Sequence, residues 1–388
     1  FIMDMQYGIA KSNTCLISGI ARELDEKTKL NYTIERLRDN LLKLNEEELK
    51  VINDNYINEV SNLFANEPIA IFDDSDISKR YGKKFEDLDK VLDASSVKKE
   101  IVLGYHVCEE VVLTKNEKQP ISLYSKIYSC TSKGFIIMNK YTNDSIDTVR
   151  KVLKRKCNMI FDRGYDDNKI IDYVDKTENY FVIRINDDRT FYFKNKKKKC
   201  YDVAIRRKGK VKMTLWFDDN EEHDVYISHT KVRLPYNKKD YELVIVYGLS
   251  EERPLILLTN RDIHSKEDAI KVVRLYFYRW RIKEYFRAKK QEYEFENMRV
   301  GTLKSMNNLN LLLTIHLGHI GKLVEFMDKK LLTIKIILRS KSLRNNILVW
   351  ISQIAIGIGK ILSFAHTGIK DYQKIEQRDK YRQLELKL

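Results

Sequence analysis

Apolar and polar positions fall into three textures along the 388 residues. From about residue 6 to 66, Leu37, Leu41, Leu42, Leu44 and Leu49 recur among Glu, Lys and Asn. Neither Gly nor Pro interrupts residues 21–67, and this pattern predicts helix. The next texture begins at Pro68-Ile69-Ala70-Ile71-Phe72, a short apolar run ending in Asp73-Asp74-Ser75-Asp76, which predicts a buried strand with carboxylates at its C-terminal end. Strands are expected at 104–114 and 121–130 with a turn at 116–118, then a helix at 145–156. A further strand at 158–161 ends in Asp162, followed by a helix at 168–175 and a strand at 180–185.

Residues 188–258 read differently. Lys194, Lys196 to Lys199, Arg206, Arg207, Lys208, Lys210 and Lys212 are interleaved with Phe191, Tyr192, Phe193, Tyr201 and Trp216. Alternating runs at 226–229 and 243–247 make this an inserted, antiparallel β-rich subdomain. Helical spacing resumes at 266–292 and continues to the C-terminus. The expected division is a helical N-terminal region (1–67), a first core part (68–187), the insertion (188–258), a second core part (259–325) and a helical C-terminal region (326–388). The fold class is α/β, a mixed sheet with helices in the strand–strand–strand–helix–strand–helix–strand order of an RNase H-like core.

Charge sharpens this picture. Lys and Arg number 71 against 56 acidic residues, a net +15, which favours a polyanionic partner, nucleic acid first. The N-terminal helices would then either touch DNA or only pack; the pattern does not choose. The five cysteines are scattered without CxxC spacing, so neither a zinc site nor a disulfide framework is expected, and the cytoplasm is the plain location. No apolar run approaches the roughly 20 residues that cross a bilayer. The first residues show no secretory signal, and the absence of an initiator Met points to a trimmed start. His316 and His319, three apart on an apolar helix, are expected to pack rather than to bind metal.

Asp74 and Asp162 each end a core strand, and paired parallel strands would make those ends neighbours at a ligand-binding crevice. Two such carboxylates suit divalent ions about 4 Å apart, as phosphodiester cleavage requires. Further on, Tyr276, Arg279, Lys283, Arg287 and Lys290 recur every three or four residues. They would form one cationic helix face for phosphate contacts, with Phe277, Trp280 and Ile282 packing behind it.

These residues carry a family resemblance. Residues 72–79 with Tyr81-Gly82-Lys83-Lys84 resemble the first-Asp region of bacterial insertion-sequence DDE transposases, and Phe161-Asp162-Arg163-Gly164-Tyr165-Asp166 resembles their second-Asp motif. Residues 276–290 resemble their Tyr-Arg-Glu-Lys signature, with Tyr276, Arg279 and Lys290 at matching positions. The resemblance spans residues 37–313. It implies a DNA transposase with an RNase H-like core that cleaves and joins DNA at element ends as a cut-and-paste homodimer, and needs Mg2+ or Mn2+. Asp74 and Asp162 would hold the metals, and Arg163 and the signature residues would hold the terminal inverted repeats and target DNA. Trp216 is placed as a base contact by location alone.

One position departs. The signature Glu is Lys283 here, with Glu284 next to it. One residue turns a helix by about 100°, so Glu284 completes the catalytic set only if the helix shifts register. A lysine there repels the metals the family needs, so activity is expected to be weak or lost. A non-catalytic DNA-binding remnant and an RNase H-like nuclease of another pathway remain the alternatives.

Overall fold

A computed structural model describes residues 1–82, 84–93, 100–116, 119–216, 222–250, 253–326, 340 and 351–363, with residue 216 described by its backbone only. Among these the N-terminal region is four helices: α1 (Ile2–Ser12), α2 (Ile17–Glu23), α3 (Leu30–Lys43) and α4 (Glu46–Val60). The apparently unbroken run is cut where Asn45 caps α4, its side chain accepting from the Glu48 amide while Glu48 answers in a capping box. Leu37, Leu41 and Leu44 are buried, whereas Leu42 is exposed.

The strands follow as β1 (Ile69–Ser78), β2 (Asp89–Leu92), β3 (Ile101–Leu113) and β4 (Pro120–Tyr128). After helix α5 (Met138–Leu153) come β5 (Asn158–Phe161), α6 (Asn168–Lys176) and β6 (Tyr180–Arg184). Antiparallel β4–β3–β1 continues into parallel β1–β5–β6, which is the RNase H-like arrangement. The short edge strand β2 pairs beside β4 on β3, a strand that periodicity did not indicate.

The basic region forms β7 (Thr190–Phe193), β8 (Lys196–Lys199), α7 (Cys200–Ala204), β9 (Val211–Trp216), β10 (Glu222–Arg233), β11 (Asp240–Tyr247) and β12 (Leu255–Thr259). These strands are antiparallel, but they extend the core sheet. β12 pairs with β6, and the order runs on through β11 and β10 to β7 and β8. Helices α8 (Lys266–Phe277), α9 (Trp280–Gln291), α10 (Leu303–Glu325) and α11 (Ile351–Leu362) complete the described chain. Ile334, Ile336, Ile337 and Leu338, apolar residues of the C-terminal region that the sequence offers for dimerisation or for packing on the core, and most of 326–388 lie outside the described residues.

The sheet separates two hydrophobic cores. One holds Ile71, Ile160, Val182 and Leu257 with residues of α1, α2, α3, α8, α9, α10 and α11; the other holds Phe72, Phe161 and Phe181 with residues of α4, α5, α6 and α7. Strands buried on both faces explain the unbroken apolar runs of β1 and β5. Glu109 on β3 and Lys289 on α9 form an ion pair that is fully buried, with Nζ–Oε2 at 2.8 Å. No helix among the described residues is long and apolar enough to cross a membrane.

Candidate active site

Strand register places the acidic residues. β1 and β5 run parallel with Ile71 beside Ile160 and Phe72 beside Phe161, whose rings stack at 4.6 Å. The next pair is Asp73 and Asp162. Side chains alternate across a strand, so Asp73 follows Ile71 and Asp162 follows Ile160 onto the face covered by α8 and α9. Asp74 follows Phe72 onto the opposite face, where it meets Cys108 and Tyr165. The expected pairing of Asp74 with Asp162 is therefore not the one the sheet makes; Asp73 is the neighbour of Asp162.

The predicted signature helix is two helices. Tyr278 and Arg279 form a tightened turn between α8 and α9, in which the Arg279 amide bonds back to the Tyr276 carbonyl at 3.0 Å. That turn drives Arg279 inward. Arg279 is 5% exposed, with its guanidinium 3.3 Å from Asp162 Oδ2 and 3.9 Å from Asp73 Oδ2, while Tyr276 donates its hydroxyl to Asp162 Oδ1 at 3.1 Å. Nε and Nη1 of Arg279 make no hydrogen bond, so charge rather than hydrogen-bond geometry links Nη1 to the two carboxylates.

Electrostatics splits the two acids. Burial raises the Asp73 carboxyl to about 7, with Asp162 and Asp74 adding to the rise and Arg279 and Lys283 opposing it. Burial also pushes Asp162 up, but Arg279, the Arg163 amide, Tyr276 and Arg184 outweigh it and hold Asp162 below the usual aspartate range. Desolvation of the carboxyl among its packed neighbours raises Asp74 to about 6, with Tyr165 and Cys108 opposing the rise, although the residue as a whole keeps solvent access.

The remaining expected residues scatter. Lys283 is exposed, with Nζ 4.7 Å over the Trp280 ring, and Trp280 is itself 48% exposed rather than packed. Glu284 pairs with Arg287 at 3.6 Å. Exposed Arg287 also donates to Gln291, and Lys290 reaches the Asp76 carbonyl and Glu296. Arg163 is exposed and lines, with Arg184, Arg253, Tyr276, Arg279 and Trp280, a cleft of about 410 Å³ beside Asp162. Trp216 ends β9, and its side chain lies outside the described residues. His316 is buried, as expected, against the Tyr293 hydroxyl (3.0 Å), whereas His319 faces Glu59 at the surface. The sequence pattern offered Asp74 in place of Asp73 and did not single out Arg184 or Arg253.

Residues 138–317 match the transposase DDE domain. That stretch contains Asp162, the cleft arginines and α8–α9, and begins after β1. It is a domain class that catalyses DNA cleavage and strand transfer and generally works with divalent metal ions. Over 94% of its length the chain is similar in fold to the piggyBac transposase in a cryo-EM synaptic complex with hairpin DNA. The TM-score is 0.50 and the identity 10%, with 71% of that chain covered. No curated protein matches the chain by sequence.

The residues present fit a metal pair poorly. Asp73 and Asp162 offer two carboxylates on neighbouring strands, but Arg279 brings its own positive charge to both. Where a third carboxylate would close the set, Lys283 adds a second cation and Glu284 is engaged with Arg287.

Proposed function

We propose that this chain is a DNA transposase of the bacterial insertion-sequence kind whose cleavage centre is disabled at Lys283, so that DNA binding is its principal remaining activity. The observation that carries this reading is the pairing of Asp73 with Asp162 beneath Tyr276 and Arg279, with lysine at the signature carboxylate position. Asp73 takes the role that the sequence assigned to Asp74, because only Asp73 shares a face with Asp162. The DNA-bound state of the piggyBac relative, the net charge of +15 and the arginine-lined cleft support double-stranded DNA as partner. Arg163, Arg184 and Arg253 hold phosphates. Two copies on paired element ends follow from the family resemblance.

Calorimetric titration of Mn2+ tests the reading. The chain as it stands is expected to bind weakly, and Lys283→Glu to bind strongly. In the Lys283→Glu background, Asp73→Asn abolishes the gain and Asp74→Asn spares it. Strong binding by the unsubstituted chain, abolished by Glu284→Gln, would show that the centre is intact and the helix-register argument mistaken.

A further inference from the structure

A second cluster lies on the other face of the sheet from Asp73 and Asp162. Asp89 on β2, His106 on β3 and Cys130, two residues past the end of β4, bring a carboxylate oxygen, an imidazole nitrogen and a thiol sulfur within 4.8 Å of one another. In register, His106 opposes Asp76 on β1, so it shares the face of Asp74 and Asp76. His106 Nδ1 is 3.1 Å from Asp76 Oδ1, and Nε2 is 3.5 Å from Asp89 Oδ2. Cys130 points its backbone amide at Asp89 Oδ2 (2.7 Å), and its thiol bonds the same carboxylate.

We infer that Asp89, His106 and Cys130 form a site for a Zn2+-class transition-metal ion, independent of the acidic cleft. The donor set is imidazole, thiolate and carboxylate, which zinc accepts and which magnesium, preferring oxygen alone, does not. A carboxylate on Nδ1 fixes the proton there and leaves the Nε2 lone pair free, the arrangement found behind metal-bound histidines. The site is also accessible yet framed: the His106 and Asp89 side chains are 19% and 14% exposed, the imidazole stacks on Tyr128 at 5.3 Å, and Cys130 faces solvent. On binding, the Sγ–H bond of Cys130 breaks, its proton leaves to solvent and a sulfur–metal bond forms, with no change of oxidation state. Water fills the fourth position. The ion would tie edge strand β2 and the segment after β4 to β3, next to the carboxylate end of β1.

The probe is Co2+, titrated as the chloride into the reduced full chain. One equivalent is expected to develop a sulfur-to-cobalt charge-transfer band, which Zn2+ then bleaches. Cys130→Ser, at a solvent-facing position, abolishes the band, and Asp76→Asn weakens binding roughly 10–100-fold. Asp73→Asn leaves the band unchanged. No band at saturating Co2+, or a band that survives Cys130→Ser, overturns the inference. Neither result bears on the Mn2+ experiment, which reads oxygen ligands on the other face.

Discussion

Replacing Lys289 by Met removes one half of an ion pair that solvent does not reach. Lys289 Nζ lies 2.8 Å from Glu109 Oε2 and 3.0 Å from Ser125 Oγ, and it sits over the Phe295 ring at 4.6 Å. Glu109 also accepts from the hydroxyls of Ser122 and Ser125. In the variant those hydroxyls remain, but the countercharge is gone, and burial already pushes neighbouring Glu110 well above the usual carboxylate range. The choice left to Glu109 is a buried unpaired charge or a proton. Holding an ordinary glutamate protonated at pH 7 costs about 4 kcal/mol, close to the roughly 3–5 kcal/mol typical of breaking a buried pair from one side. The variant should therefore lose about 3–5 kcal/mol in urea unfolding at pH 7, a large share of a domain's usual margin. The deficit should shrink as pH falls toward about 4, where an ordinary unfolded glutamate begins to take up a proton as well. Lys289→Met with Glu109→Gln should recover most of it, because a neutral amide oxygen keeps the hydroxyl donors. A single variant within about 1 kcal/mol of the parent at pH 7 would refute the reasoning, as would a double variant less stable than the single one.

The same logic gives Asp73 a pH signature. Its folded pKa is raised to about 7, so its contribution to stability is complete below about pH 4 and lost as pH rises through 7. Asp73→Asn should gain on the parent across that window, by at most on the order of 4 kcal/mol. Urea midpoints at pH 4.5 and 8 measure this, and a difference that stays flat with pH would count against a buried, raised carboxyl. At the N-terminus, Asn45→Ala should cost about 1 kcal/mol by deleting the α4 cap, read in the same unfolding experiment. An unchanged midpoint there would mean that α4 is held by its packing alone.

The order of strands was legible because short apolar runs ended in acidic or turn residues, and the aspartates at 73, 74 and 162 stood out at those ends. Which aspartate meets Asp162 was not legible. Ile69 to Phe72 are buried on both faces, so alternation along β1 carries no sign of which face the signature helix covers. The break at Tyr278–Arg279 was invisible for a related reason. Both residues keep right-handed helical backbone angles, and only the shortened hydrogen bonds mark the turn. Periodicity carried across it put five residues on one face, where the structure buries Tyr276 and Arg279 and leaves Lys283 and Arg287 outside. Asp89, His106 and Cys130 escaped notice because they are 41 residues apart at the extremes and meet only through sheet register.

The contacts that finish the acidic cleft join the two ends of the core late in synthesis. Lys79, directly after β1, donates to the carbonyls of Glu296 and Met298, and β1 meets Arg279 only after the whole insertion has been made. Pairings this distant in sequence carry a high entropic cost of closure and slow folding. The guanidinium that faces both Asp73 and Asp162 therefore reaches them only when α8 and α9 dock on the sheet.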